Sequence, residues 1–372
     1  MNSRLYKLQK LGQSIWLDNI SRGMLKTGEL QKLIDQGVTG VTSNPSIFEK
    51  AILNSDDYNE SISKLLAEGL SPDQIIEELM IDDIQAACDL FKPVFEKSKG
   101  NDGFVSIEVD PRLANKTEET IEAASRVWGK VNRLNVMIKI PATSEGLAAI
   151  EESIAQGINI NVTLIFSIER YKEVANAYLN GLKRRSEKHS DLSNINSVAS
   201  VFVSRIDSIV DNEIVKMINS GKPELTNLLG KTAVYNTRLL YQSFKEIFSS
   251  PDFATLKENG AKMQRPLWAS TSTKNPNYNP LLYVDELFAK DTVNTLPPRT
   301  LELMLERSQI ELRIENELGS AKKDIESLIT HNIDLSKLLN KLEIDGVKAF
   351  ADSYNNLRDS LVKKIDLVKA AS

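Results

Sequence analysis

Eight short runs of β-forming residues recur along this 372-residue chain, and longer stretches with helical spacing separate most of them. The runs cover residues 14–20, 37–44, 103–110, 135–141, 158–166, 197–203, 266–271 and 292–296. Strands that alternate with helices pair in parallel through crossover connections. Eight such units are the number that closes a (β/α)8, or TIM, barrel; an open doubly wound sheet is the alternative this pattern leaves. Among the helical stretches, 168–188 is one and 71–97 another, the latter opening with Ser71 and Gln74 at capping-box spacing. From Pro297 onward the pattern is helical to the end, with breaks expected near Gly319 and Asp345-Gly346. That tail exceeds what a barrel needs and is expected to pack as additional helices. Residues 1–372 therefore read as one (β/α)8 catalytic domain whose segment 297–372 is largely helical.

Composition removes several kinds of function. The net charge of -5 and the 26% charged residues give no clustered positive surface for nucleic acid or an anionic membrane. The one short basic cluster, Lys183-Arg184-Arg185, is flanked by Glu187 and Asp191 and reads as a solvated helix end. A single cysteine, Cys88, excludes an internal disulfide and fits a reducing compartment, with a packed thiol as its role. The stretch Met1-Asn2-Ser3-Arg4-Leu5-Tyr6-Lys7-Leu8 lacks the apolar core of a signal peptide, and no run reaches membrane-spanning length, so a cytoplasmic protein is expected. Only His189 and His331 are present, both in polar surroundings, which leaves no multi-histidine metal site and no Ser-His-Asp or Cys-His arrangement. Neither Gly37-Val38-Thr39-Gly40 nor Ser220-Gly221-Lys222-Pro223 has the spacing of a nucleotide-binding loop. Any chemistry must come from lysine, carboxylates and hydroxyls.

One lysine stands out. Lys139 sits in the middle of the otherwise apolar run 135–143. Stripping water from an ammonium costs several kcal/mol or more, desolvation favours loss of its proton, and a neutral amine attacks carbonyl carbon. By itself the run also fits a half-exposed strand whose lysine faces water. Strand parity separates the two readings. In a parallel barrel the outward residues lie under helices and are apolar, while alternate residues point inward. Taking Ile15, Leu17, Val105, Ile107, Val109, Val136, Ile138, Ile140, Ile160, Val162, Leu164, Ala199, Val201 and Val203 as outward leaves Ser14, Trp16, Asp18, Ser106, Glu108, Met137, Lys139, Asn161, Thr163, Val198, Ser200 and Phe202 inside. Asp18, Glu108, Lys139, Asn161, Thr163 and Ser200 thus share one parity, mostly late in their strands, where barrel enzymes keep catalytic groups.

These residues also carry a resemblance. The segments Ile15-Trp16-Leu17-Asp18-Asn19, Gly40-Val41-Thr42-Ser43-Asn44-Pro45-Ser46, Ser106-Ile107-Glu108-Val109-Asp110, Ile138-Lys139-Ile140-Pro141-Ala142-Thr143 and Asn161-Val162-Thr163-Leu164-Ile165-Phe166-Ser167, in that order, resemble the transaldolase family of the pentose phosphate pathway over essentially the whole chain. The resemblance implies a (β/α)8 barrel with no metal and no organic cofactor. Its implied partners are sugar phosphates only, with no nucleic acid and no membrane, in a monomer or homodimer. The implied activity is transfer of a dihydroxyacetone unit from a ketose phosphate to an aldose phosphate.

Position by position, Lys139 matches the Schiff-base lysine and Asp18 the acid/base at the C4 hydroxyl. Glu108 matches an acid/base working through a water that Thr163 orients. Asn44, Asn161 and Ser200 match groups holding the dihydroxyacetone hydroxyls, Arg205 a phosphate-binding arginine and Ser270 a serine near the same phosphate. Many members carry an arginine two residues after that serine, where this chain has Ser272; Lys274 is the candidate for the second charge, as a point charge rather than a fork. Two rivals remain. In an aldolase branch that releases free dihydroxyacetone, a tyrosine generally replaces Phe202 and the acidic shuttle is absent. A decayed scaffold would be expected to lack Asp18, Glu108 or Lys139.

Overall fold

The structure is a computed structural model that describes residues 4–371. Residues 1–3 and 372, parts of the N-terminal stretch and of the 297–372 segment discussed above, lie outside the described residues. All eight runs form strands: β1 (Gln13–Leu17), β2 (Gly40–Val41), β3 (Phe104–Glu108), β4 (Val136–Pro141), β5 (Ile160–Ile165), β6 (Ser197–Phe202), β7 (Arg265–Ala269) and β8 (Thr292–Leu296). Each pairs in parallel with its neighbours in sequence, and β1 pairs with β8, so the sheet is a closed barrel and not an open one.

The outward parity holds where it matters most for stability. Ile15, Leu17, Val105, Ile107, Val136, Ile138, Ile140, Ile160, Val162 and Val201 are no more than 1% exposed. Parallel strands covered on both faces bury both parities, and every residue of β3 to β6 is buried.

Two strands depart from expectation. β2 shrinks to two residues because Gly37, at φ 117°, ends the preceding helix Glu29–Gln36, and the chain turns into the helix Pro45–Leu53 soon after Val41. Gly40 is there because a Cβ would lie 2.6 Å from the Trp16 indole. In β5 the register against β6 shifts between Val162 and Ile165, and Leu164 takes φ 63°. This bulge breaks the parity assigned to Leu164, whose side chain instead meets Gly346 of the C-terminal helix.

The helix Pro72–Lys97 opens with the expected capping box and buries Cys88. The helix Ile168–Ser186 ends in the basic cluster, where Lys183 pairs with Asp252 at 3.1 Å and Arg184 with Glu152 at 2.6 Å.

Past β8 the chain forms the helices Pro298–Arg307, Leu318–Thr330 and Leu335–Ala371. The breaks fall at 308–317 and 331–334. The expected ones do not occur: Gly319 lies in the first turn of the second helix, and the third runs unbroken through Asp345-Gly346. At about 1.5 Å per residue, a 37-residue helix is long enough to cross a whole domain. Gly346 is buried within it, where an added Cβ would approach Leu164 Cδ2 to 3.1 Å, so glycine serves close packing there and not a turn.

Candidate active site

Local sequence explains how each polar group reaches the C-terminal mouth of the barrel. At the end of β1 the Asp18 amide donates to the Leu296 carbonyl at 2.8 Å, which extends the ladder by one residue and holds Asp18 at the rim. After β2, Asn44 caps the helix Pro45–Leu53: its Oδ1 accepts from the Ile47 amide at 3.1 Å, and Pro45 fits the first helical position. Capping uses the amide oxygen and leaves the Asn44 NH2 free to donate. Thr143 ends β4 in the same manner, its Oγ1 accepting from the Gly146 amide at 2.9 Å.

Register sets the relative heights. Glu108 lies opposite Lys139, and Lys139 opposite Asn161. The Lys139 Nζ stands 3.3 Å from Glu108 Oε2 and donates to the Ser43 carbonyl at 3.3 Å, with side-chain exposures of only 7% and 1% for the lysine and the glutamate. Below the ion pair, Ser200 donates to Asn161 Oδ1 at 2.6 Å and Asn161 donates to Ser106 Oγ at 2.9 Å. Asp18 accepts from Thr42 at 2.8 Å, and Thr42 in turn meets Thr295 at 2.6 Å.

Burial pushes the Asp18 carboxyl above the ordinary range of an aspartate; the Lys139 charge and the Thr42 hydrogen bond offset part of the shift. Burial also raises Glu108, again partly offset by Lys139, and Asp18 adds repulsion. Two carboxyls held more basic than usual beside a buried lysine are candidates for moving protons. Glu108 Oε1 and Thr163 Oγ1 are buried and have no hydrogen-bond partner among the described residues. Their bonding capacity is therefore available to a water or a substrate hydroxyl.

The cleft above this cluster measures about 620 Å³ out to its open mouth. Asp18, Asn44, Lys139, Thr163, Ser200, Phe202, Arg205, Ser270 and Lys274 all line it. Glu108 and Asn161 lie just beneath, joined to it through Lys139 and Ser200. Every candidate residue thus converges on one end of the barrel.

Arg205 belongs to the first turn of the helix Ser204–Asn219 and faces the Phe202 ring at 5.3 Å. Among the described residues it has no carboxylate within ion-pair distance, and burial lowers its pKa. The Lys274 pKa is lowered by burial and by the Arg205 charge, and its ammonium donates to Ser272 at 3.1 Å. Ser270 takes φ 55°, which turns the chain out of β7, and its Oγ meets Ser204 Oγ at 2.9 Å. Arg205 and Lys274 are neighbouring cations, with Asp18 acting on Lys274 through its charge, and such a pair can receive a dianion.

Sequence reasoning missed three participants. Thr42 stood inside a recognised motif, whereas along β8 the apolar Val293 and Leu296 fall on opposite parities, so alternation does not assign Thr295. Phe350, from the C-terminal helix, carried no signal of its own. It lines the cleft with its ring centroid 5.1 Å from the Lys139 Nζ and 6.2 Å from the Phe202 ring. Among the described residues no group of three or more His, Cys, Asp or Glu is placed to hold a metal ion, and no helix is long and apolar enough to cross a membrane.

Comparison with known proteins agrees with the geometry. The family model described as transaldolase/fructose-6-phosphate aldolase matches residues 15–361. A protein named Transaldolase 2 from Nostoc sp. is 44% identical over 375 residues, 98% of each chain. A Transaldolase from Mycolicibacterium smegmatis is 45% identical over 370 residues, 99% of each chain. A third, from Trichodesmium erythraeum, is 42% identical over 373 residues, 98% of each chain.

Proposed function

This chain belongs to the transaldolase/fructose-6-phosphate aldolase family, and from that premise we propose that Lys139, Asp18, Glu108 and Thr163 carry its reaction. The activity is that of a transaldolase. A dihydroxyacetone unit passes from sedoheptulose 7-phosphate or fructose 6-phosphate to glyceraldehyde 3-phosphate or erythrose 4-phosphate through a lysine Schiff base, within the non-oxidative pentose phosphate pathway.

The reaction needs an electron sink at C2, because cleavage between C3 and C4 leaves an electron pair on C3. In this reading the Lys139 amine attacks the C2 carbonyl of the ketose. Glu108 gives a proton to the carbinolamine hydroxyl, through a water oriented by Thr163, and water departs to leave the protonated imine. Asp18 then takes the proton of the C4 hydroxyl, the C3–C4 bond breaks, and the electron pair moves into the imine as an enamine. The aldehyde leaves, an acceptor aldehyde enters, and the steps run in reverse.

Asn44, Asn161 and Ser200 hold the hydroxyls of the three-carbon unit, while Arg205, Ser270 and Lys274 receive the phosphate. Phe202 gives the cleft wall no hydroxyl with which to activate a water, which favours transfer over release. The buried thiol of Cys88 suits the cytoplasm.

The observation that carries this reading is the 3.3 Å approach of a buried lysine to a carboxyl that burial makes basic. Borohydride reduction in the presence of fructose 6-phosphate, followed by mass mapping, tests it. The expected product is a three-carbon adduct on Lys139; a label on another lysine, or none, overturns the assignment.

A further inference from the structure

We infer that Phe350, carried into the cleft by the C-terminal helix Leu335–Ala371, decides the fate of the lysine-bound three-carbon intermediate: its ring shields the intermediate from water so that it waits for an acceptor aldehyde. The inference rests on the Schiff-base reading of Lys139. After the first aldehyde leaves, the enamine has two exits. It can attack the acceptor carbonyl carbon, whose oxygen takes the proton held by Asp18. Alternatively C3 takes a proton from a solvent water, whose hydroxide takes the Asp18 proton, giving the protonated imine of dihydroxyacetone. The water beside Glu108 and Thr163, which also releases the transfer product, then adds at C2, and the carbinolamine collapses to free dihydroxyacetone and the lysine amine. Each exit consumes one water in all, but only the second loses the unit.

The position of Phe350 suits this choice. C3 is two bonds from Nζ, and the ring centroid stands 5.1 Å from Nζ. Phe202 closes the adjacent wall, with ring centroids 6.2 Å apart at 62°. Phe166 backs Phe202 at 5.5 Å. An apolar lid over the enamine offers water no partner and excludes it at little cost.

The helix is built to hold that ring in place. Gly346, one turn before Phe350 and on the same face, lets the backbone approach Leu164 and Phe166. Two turns before, Glu343 accepts both arms of the Arg170 guanidinium at 3.1 and 3.2 Å. One turn after, the Tyr354 ring lies 4.6 Å from the Arg112 guanidinium, and neighbouring Ser353 accepts from Ser46 at 3.0 Å. Further along, Leu357, Leu361 and Ile365 are buried, and the Lys364 ammonium donates to the carbonyls of Ile52 and Ser55. Tethers on both sides fix Phe350, yet the ring is only half-buried and lines the cleft. A residue placed solely to dock the helix would be covered like Leu357.

The test measures two products in one reaction of fructose 6-phosphate with erythrose 4-phosphate: sedoheptulose 7-phosphate from transfer and free dihydroxyacetone from loss. Phe350→Ala is expected to raise the ratio of loss to transfer by roughly tenfold or more, and Phe350→Leu by less. A helix that merely docked badly would lower both rates together and leave the ratio unchanged, and that result overturns the inference. Should the alanine variant fail to fold, Phe350→Leu and Phe350→Val decide the question, because an unchanged ratio in any folded variant is equally fatal. Borohydride trapping on the same proteins separates the two layers. No adduct on Lys139 in the parent protein would sink the Schiff-base reading, whereas a normal adduct with a constant ratio would sink only the role of Phe350.

Discussion

The two ends of the barrel hold similar residues in opposite states. At the N-terminal end Asp102 accepts from the Ser14 hydroxyl, from Trp16 Nε1 at 2.8 Å and from the Gly103 amide at 3.1 Å. Arg265 adds its charge at 3.8 Å and donates to Ser14 at 2.9 Å and to the Asn101 carbonyl at 2.7 Å. At the C-terminal end the cleft leaves Glu108 Oε1 and Thr163 Oγ1 without partners, and Arg205 without a carboxylate, among the described residues. The larger void, about 1080 Å³ out to solvent, is at the N-terminal end beside Asp102 and Arg265. Cavity size therefore points away from the chemistry. Buried atoms without a partner occur at both ends, Gln13 Oε1 and Gln264 Oε1 at the N-terminal one, but among the described residues the only such carboxylate oxygen is that of Glu108 at the C-terminal end. A buried polar group that is fully paired stabilises the fold; one left open costs stability and is kept for a substrate.

The largest expected effect comes from Lys139→Met. Turnover should fall on the order of ten-thousand-fold or more, as for loss of a covalent nucleophile, and the trapped adduct should vanish. The fold should survive, because a neutral side chain removes a desolvation cost and the raised Glu108 can take up a proton. Retained turnover would break the contrast at its centre.

Next come the two carboxyls, each expected to cost roughly 100- to 10,000-fold by loss of proton transfer. Glu108→Gln should slow imine formation, so that little adduct accumulates at early times. Asp18→Asn should allow the imine but not the cleavage, so that the trapped adduct carries the whole ketose. Identical adduct masses and time courses would erase this division of labour.

For the phosphate, Arg205→Ala should raise KM for phosphorylated ketoses by roughly 2–4 kcal/mol and change kcat far less, since contacts remote from the reacting carbons act on ground and transition state alike. Lys274→Ala should show the same pattern more weakly. Equal losses with an unphosphorylated ketose would show that Arg205 is structural.

On stability, one substitution made at both ends gives the smallest effects and the sharpest contrast. Asp102→Asn should leave kcat intact and cost about 2–3 kcal/mol in urea unfolding, because the Arg265 charge loses its counterion and three donors lose a charged acceptor. Asp18→Asn should do the reverse. Burial holds the folded Asp18 carboxyl above its unfolded value, so the stabilising proton preference is complete below the unfolded pKa and is lost as pH rises through the folded one. The asparagine variant should therefore be more stable than the parent near neutral pH, with the gap closing on acidification. Parallel responses at the two ends would refute the distinction.

Much of this was legible in the chain. Parity placed Asp18, Glu108, Lys139, Asn161, Thr163 and Ser200 on one face, and all converge. Parity gives the side of a strand but not the depth along the barrel axis, so Ser14 and Trp16 shared the inward side with Asp18 although they serve the opposite end. It also assumed unbroken pairing, and the bulge in β5 sent Leu164 to the C-terminal helix. For Ser272, the loop restores a charge beside Arg205 with Lys274, a placement that only the turn at Ser270 sets.

What the residues determine unaided is local and periodic: eight strands, their apolar faces, the capping Asn44, and a lysine that apolar neighbours strip of water. These follow from backbone geometry and side-chain burial within a few residues of each position. What only the tertiary structure decides is which distant groups share a height and which stay unpaired. Closure between β1 and β8 brings Asp18 beside Leu296, the register across β3 and β4 sets Glu108 against Lys139, and the last helix lays Phe350 over both walls of the cleft. An apolar stripe says that a helix docks, but its place on the barrel depends on where a glycine allows close approach and where buried ion pairs can form.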